Sequence, residues 1–426
     1  MAGKQYLRGG LSVCVVAMRD PTCTCGTHAR YTSPMGYKTY TCTTAATCGG
    51  CETLAVPYPI QLRRKQDQMR ELFTDLLGAC SEDTLRPIVG MERPLGYRNK
   101  AATPFAPGPR GRIRSGFYAK GTHRIISCRQ CLVEDPRCRK VLNSFVRTAE
   151  LAKVSAYDED KGRGLLRHAV VRAGWKTDEL LLTIVANGER LPHERELVKR
   201  ILHFAPDVTA IALNTNVRKT NAILGPTSRA LYGRGVMHDE LLGVTFEIGP
   251  TSFYQTNPSQ TERLYSLAIE GAGLAPGMRV LDAYCGIGTI GLCAAAQVDD
   301  LQVVGVEVGK GAVADARKNA RNNALDNRCQ FVCADSTVYM NEAAKRREHF
   351  DAVIMDPPRA GSTPEFLAGV VSLAPQKVVY VSCNATTQRR DLDALLDGGY
   401  CLVSLTPVDM FPHTKHVETV AVLERA

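Results

Sequence analysis

No stretch of this 426-residue chain holds eighteen consecutive apolar residues, so no membrane-spanning helix is expected. The N-terminal segment is as poor a secretory leader, because the apolar patch at 13–17 is interrupted by Cys14 and closed by Met18-Arg19-Asp20. The chain has no internal repeat and no low-complexity block. A positive excess is missing from residues 251–426. The formal net charge is +10, yet residues 251–426 carry 16 Lys and Arg against 20 Asp and Glu, while residues 1–250 carry 37 against 23. Residues 101–150 are the most basic, with 10 against 3. A basic region joined to a mildly acidic one suggests a polyanion-binding platform attached to a catalytic unit.

The length exceeds one ordinary domain, and 44% hydrophobic with 23% charged residues describes a globular protein with ample core. Sixteen cysteines in an otherwise intracellular-looking chain point to thiols and metal ligation rather than to a disulfide framework. The clearest group is Cys42, Cys48 and Cys51, spaced C-x5-C-x2-C on a glycine-containing loop. A fourth thiolate must come from farther on, and Cys128, Cys131 and Cys138 are the candidates. Four thiolates suit an iron–sulfur cluster or zinc, although the first gap is too long for a common zinc ribbon. Cys23 and Cys25 read as spare thiols. Residues 60–77 have apolar residues at helical spacing and Gly78 behind them, which predicts an amphipathic helix. In 104–121, Arg110, Arg112, Arg114 and Lys120 alternate with Phe117 and Tyr118, the mixture of charge and ring faces that single-stranded nucleic acid requires. Strands are predicted over 166–172, 179–186 and 208–213, a helix over 193–204, and a glycine-rich loop over 217–242.

From 251 onward strand and helix alternate, the pattern of a doubly wound sheet. A strand at 279–283 runs into Asp282-Ala-Tyr-Cys-Gly286-Ile-Gly288, where Gly286 and Gly288 let the backbone approach a nucleotide-like ligand. The next strand ends in Glu307, placed to hold both ribose hydroxyls. A third ends at Asp335, placed for an adenine amino group, and a fourth at Asp356. With an Asp four residues ahead of the glycines, the turn favours S-adenosylmethionine over a nicotinamide dinucleotide. The fifth strand, Val378–Val381, stops at Ser382-Cys383-Asn384 and puts a thiol at the same sheet edge. These five strand ends define one crevice.

The motifs Ser252-Phe-Tyr-Gln255-Thr-Asn257, Asp282 to Gly288, Asp356-Pro-Pro-Arg-Ala-Gly361, Ser382-Cys383-Asn384 and Asp409-Met-Phe-Pro-His413-Thr-Lys-His416-Val-Glu418 together resemble the uracil-5 RNA methyltransferase family, from about Cys42 to the C-terminus. The resemblance is to the iron–sulfur members that act on 23S ribosomal RNA, in a shorter version without an N-terminal β-barrel RNA-binding domain. It implies a Rossmann-like class I methyltransferase fold, in the α/β class, preceded by a smaller α+β domain and an iron–sulfur segment. The expected divisions are 1–95 for the thiol segment and amphipathic helix, 96–250 for a basic RNA-binding domain, and 251–426 for the methyltransferase domain. It also implies a [4Fe–4S] cluster on Cys42, Cys48, Cys51 and, as the fourth ligand, Cys131. S-adenosylmethionine would be held by Gln255, Asp282, Tyr284, Gly286, Gly288, Glu307 and Asp335, with Asp356 between cofactor and uracil.

The chemistry asks for the same residues. C5 of uracil is a weak nucleophile, so a thiolate, here Cys383, must first add to C6. A carboxylate must later remove the C5 proton, and by resemblance that is Glu418. A cytosine-5 enzyme of the two-cysteine type would carry Cys after the motif proline, where Pro358 stands, and an amino-group methyltransferase would carry an aromatic at Arg359. The expectation is a cytoplasmic, monomeric enzyme on 23S ribosomal RNA. The alternatives are the same chemistry on a transfer RNA, or a catalytically silent RNA-binding iron–sulfur factor in ribosome assembly.

Overall fold

The computed structural model describes residues 38–426; the expectations for the N-terminal segment, Cys23 and Cys25 included, fall outside them. Two seven-stranded sheets carry the fold. The first comprises β1 (Lys100–Pro107), β2 (Ile113–Tyr118), β3 (Ile125–Ser127), β4 (Leu166–Ala173), β5 (Leu180–Ala186), β6 (Ala210–Thr215) and β7 (Thr227–Tyr232), in the order β3-β2-β1-β4-β5-β6-β7. Its pairings are antiparallel except β5 with β6. The helices Pro136–Leu151 and Glu194–Phe204 bury Phe145, Leu142, Leu197 and Ile201 against one face, where Ala101, Ala169, Leu182 and Ile184 alternate inward. This half is α+β.

A hairpin, β8 (Met237–Leu241) and β9 (Val244–Ile248), follows. Its first strand lies within the stretch read as loop up to 242. Met237, Asp239 and Leu241 are buried in alternation with part-exposed His238 and Glu240, a period-two pattern masked by the flanking glycines. The hairpin packs Val244, Phe246 and Ile248 into the core of the second half. The second structural unit therefore begins ahead of 251.

The second sheet comprises β10 (Arg279–Ala283), β11 (Gln302–Glu307), β12 (Cys329–Cys333), β13 (Ala352–Met355), β14 (Lys377–Ser382), β15 (Tyr400–Val408) and β16 (Glu418–Arg425), in the order β12-β11-β10-β13-β14-β16-β15. The first five are parallel, and β16 inserts antiparallel between β14 and β15. Near-continuous apolar runs such as Val378–Val381 are buried on both faces, as a parallel sheet under helices requires. The chain order reverses beside β10, and that is where the strand ends carry Tyr284, Glu307 and Asp356.

The amphipathic helix runs Tyr58–Leu72, breaks at Phe73, and resumes for one turn at Thr74–Leu77. Met69 and Phe73 enter the core of the second sheet beside Leu392, Leu405 and Leu423, and Leu85 and Val89 bridge to β15. Residues 58–89 thus pack as part of the second half. Among the described residues no helix is long and apolar enough to cross a membrane.

Candidate active site

Sheet register assembles the site. Because β16 runs against β14 with Ser382 opposite Thr419, the first residue of β16, Glu418, lies beside the residue that follows β14, Cys383. Asp356 follows the neighbouring β13, whose Met355 pairs with Tyr380. The two motif loops are tied together by Asn384 Nδ2, which donates to the Arg359 carbonyl at 2.9 Å. Beneath them Gln388, fully buried, donates to the Tyr380 carbonyl at 2.8 Å and accepts from Thr419 at 2.6 Å. Asp391 accepts from Tyr380 Oη at 2.7 Å and from the Ser362 amide at 2.8 Å, fixing the end of the 356–362 loop. Neither Gln388 nor Asp391 stands out in the sequence, since each needs partners from other elements to acquire meaning.

Cys383 is half-buried. Burial, then the Glu418 and Asp356 carboxyls, push its thiol up, and Arg359 works against them. Glu418 is 4% exposed; burial and the nearby Asp356 raise its carboxyl to about 8, with Arg359 opposing. Burial alone raises Asp356 to about 7. No hydrogen bond to the Asp356 or Glu418 carboxyl occurs among the described residues, so desolvation, one another and Arg359 set the acidity of the group. Unpaired buried acids are costly to stability and are found where chemistry needs them.

The sign of that cost is testable. A carboxyl whose folded pKa is raised above its ordinary value of about 4 carries no penalty below that ordinary value and loses stability as pH rises from there through its folded pKa, above which the loss is complete. Glu418 at about 8, with Asp356 and Asp282 at about 7, should make Tm fall from about pH 4 and level off near pH 8. Glu418→Gln should flatten that fall in a thermal-unfolding series.

The cofactor candidates line the crevice in different ways. Gly286 and Gly288 have φ of 57° and 80°. A Cβ at Gly286 would meet nothing within 4 Å, whereas one at Gly288 would strike Phe331 at 2.7 Å; the first glycine opens the turn to a ligand and the second packs it. Tyr284, also left-handed at 63°, is hydrogen-bonded through its Oη to Ser362 at 2.9 Å. Glu307 accepts from the Gly286 amide at 3.2 Å and the Gly309 amide at 2.7 Å, so it both holds the turn and remains part-exposed. Asp335 caps the helix Ser336–Arg346 through one oxygen, to Thr337 and Val338. Asp282 is 1% exposed and accepts from the Gly291 amide at 2.9 Å. It therefore supports the turn from below. Gln255 is 9% exposed, and no hydrogen bond engages its amide among the described residues. An open turn, a strand-end acid and a free amide suit an adenosyl-amino acid.

The thiols of the N-terminal segment gather near the motif 409–418. Burial, then Cys131, Cys48 and Cys42, push the Cys51 thiol up to about 12. Cys128 lies near Cys131 and Cys48, but Cys138 is sealed in the core of the first half, donating weakly to Asn99 and Val171 carbonyls. Cys138 is thereby removed as a ligand candidate. Among the described residues no three His, Cys, Asp or Glu side chains converge as they would around one metal ion.

A buried network joins this segment to the loop before Glu418. Lys65 Nζ donates to Asp409 Oδ1 at 2.6 Å and to the His416 carbonyl at 2.9 Å, and Tyr58 donates to Asp409 Oδ2 at 2.9 Å. Gln61 accepts from the His413 amide at 3.0 Å, and Thr53 donates its amide to the His413 carbonyl at 3.1 Å. Burial lowers the Lys65 ammonium, with Asp409 opposing. Removing one member of such a pair strands the other. Lys65→Met is expected to destabilise by about 3–5 kcal/mol, and Lys65→Met with Asp409→Asn to recover part of the loss in a double-mutant cycle.

Comparison with known proteins agrees with this geometry. Residues 242–426 match the family model described as tRNA (Uracil-5-)-methyltransferase. An uncharacterized RNA methyltransferase of Halalkalibacterium halodurans is 41% identical over 377 residues, 88% of this chain and 81% of that one. Another, of Gloeobacter violaceus, is 40% identical over 385 residues, 90% of this chain and 82% of that one. The crystal structure of Pyrococcus abyssi tRNA (uracil-54, C5)-methyltransferase in complex with S-adenosyl-L-homocysteine superposes with a TM-score of 0.71 at 28% identity, covering 88% of this chain and 85% of that one. The chain belongs to the tRNA (uracil-5-)-methyltransferase family and has the class I fold of S-adenosylmethionine-dependent RNA methyltransferases.

Proposed function

We propose that the protein methylates C5 of a uridine in RNA, with Cys383 as nucleophile and Glu418 as the base. The observation that carries this reading is the register of β14 against β16, which sets a half-buried thiol beside a buried, unpaired carboxyl. The Cys383 sulfur bonds to C6, the resulting enolate attacks the methyl group of S-adenosylmethionine through C5, and S-adenosylhomocysteine leaves. Glu418 then takes the C5 proton, the C5–C6 double bond re-forms and the sulfur departs. Asp356 holds the uracil edge. Gln255, Tyr284, Gly286, Gly288, Glu307 and Asp335 bind the cofactor, and Asp282 acts through the turn. A base stacked in RNA cannot meet Cys383, so the uridine is flipped out.

The preferred substrate is 23S ribosomal RNA and the second reading is a transfer RNA, which the Pyrococcus abyssi enzyme's name supports. Mapping 5-methyluridine in cellular RNA with and without the protein decides between them; an unchanged map would overturn uracil methylation. The thiols Cys42, Cys48, Cys51 and Cys131 would hold a [4Fe–4S] cluster, in which each thiolate binds a different iron and no convergence on one ion is needed. Their mutual proximity supports this, and their closed four-thiolate set leaves the cluster a structural part beside the 409–418 loop. Anaerobically purified protein without iron and sulfide would exclude it.

A further inference from the structure

Three cations at the inner end of the first sheet form no ion pair with a carboxylate among the described residues, although Arg98 lies beside the Cys51 thiol. Lys100 on β1 stands directly opposite Arg172 on β4. Cross-strand neighbours lie about 5 Å apart at Cβ, and like charges so placed repel. Arg98, two residues before Lys100 and acting on it, adds a third charge. None of the three forms an ion pair among the described residues. Arg172 is 3% exposed and spends one guanidinium N–H on the Ser252 carbonyl at 2.5 Å. Its Nε and that of Arg98 are buried without a partner. The nearest carboxylate to Arg98 is Glu134, already held twice over by Arg139 at 2.6–2.8 Å, and the group beside Arg172 is the Tyr254 phenol. Burial, then Arg172 and Arg98, drive the Lys100 ammonium down to about 8.

The cluster lies at the seam with the catalytic half. Arg172 bonds Ser252, and the Asn99 amide donates to the Thr256 carbonyl at 2.9 Å, so the cations flank the 252–257 segment that carries Gln255. Holding the buried Arg172 beside Lys100 and Arg98 opposes folding, and an anion with several acceptor oxygens would relieve that cost. Guanidinium and ammonium donors in this number match a phosphodiester.

We propose that Arg98, Lys100 and Arg172 form a seat for one phosphodiester of the RNA strand, clamping the backbone close to the nucleotide that enters the crevice. The inference rests on the RNA-methylating reading above. Lys100 and Arg98, both part-exposed, supply the direct contacts, and Arg172 is the fixed charge behind them.

The test compares wild type, Lys100→Met and Arg98→Gln for binding of a uridine-containing single-stranded oligoribonucleotide across a salt series, with S-adenosylhomocysteine affinity, iron content and Tm measured on the same samples. Each variant should bind the RNA about tenfold more weakly, with the slope of log affinity against log salt reduced by about 0.7 for the lost phosphate contact. S-adenosylhomocysteine affinity and iron content should stay unchanged. Lys100→Met should keep or raise Tm, because it relieves repulsion with Arg172. Parallel salt slopes for variants and wild type would overturn the seat while leaving uracil methylation standing. Weaker S-adenosylhomocysteine binding with an unchanged RNA slope would overturn it in favour of the cofactor carboxylate, and lost iron with an unchanged slope in favour of a cluster counter-charge. Wild type that neither binds RNA nor methylates it would defeat the functional reading, and the seat with it, before any variant is compared.

Discussion

Cys383→Ala is expected to lower methyl transfer to RNA by about 10⁴-fold or more while leaving S-adenosylhomocysteine affinity unchanged. The two parts of that expectation come from different strand ends. Of the residues proposed for the cofactor, Tyr284, Glu307 and Asp335 stand at the ends of β10, β11 and β12 and Gln255 precedes the helix Pro258–Ala272, whereas Cys383 follows β14. Removing its sulfur deletes the atom that must bond to C6 and disturbs no contact that holds the glycine turn. The change is also mild for folding, since the thiol is half-buried and no partner is stranded. Single-turnover methyl transfer from labelled cofactor, with calorimetric binding of S-adenosylhomocysteine, checks both parts. Turnover within tenfold of wild type would remove the thiol from the mechanism.

Glu418→Gln has the opposite signature. Addition and methyl transfer do not need the carboxylate, but release does, because the sulfur cannot leave until the C5 proton has gone. The variant should accumulate a methylated RNA–protein adduct stable to denaturing electrophoresis, and free product should form at least about 10²-fold more slowly. The amide is isosteric and cannot ionise. At 4% exposure and with a carboxyl at about 8, replacing the acid removes a desolvation cost, so the variant should be at least as stable as wild type above neutral pH. A destabilised protein with no shifted band would show that Glu418 supports the fold and is not the base.

How far the sequence announces this site depends on how local each signal is. The run Val378–Val381 ending at Ser382-Cys383 is legible because a buried parallel strand is apolar and its polar stop marks the crevice edge. The glycine turn after Asp282 is legible for the same local reason, although the burial of Asp282 beneath it is not. Glu418 is the opening residue of a strand that inserts between β14 and β15, and only the motif resemblance singles it out, since no periodicity encodes a non-local antiparallel insertion. Lys65 reads as one more basic residue of an amphipathic helix; its partner Asp409 lies 344 positions away. The aromatics of the basic stretch also escape a local reading: Arg139 covers the Phe117 ring at 4.8 Å, and Tyr118 stacks on His123 at 5.2 Å. Their faces are engaged within the protein, whereas the unpaired cations Arg98, Lys100 and Arg172 come together only through β1–β4 pairing.

RNA in which uridine is replaced by 5-fluorouridine interrogates the covalent step in the unaltered protein. Fluorine at C5 cannot be withdrawn as a proton, so the chain should stop after methyl transfer with its sulfur still bonded to C6. Peptide mass spectrometry of the digested complex should find a methylated fluorouridine nucleotide on the peptide containing Cys383. Recovery of unmodified Cys383, or of the nucleotide on any other residue, would contradict the account.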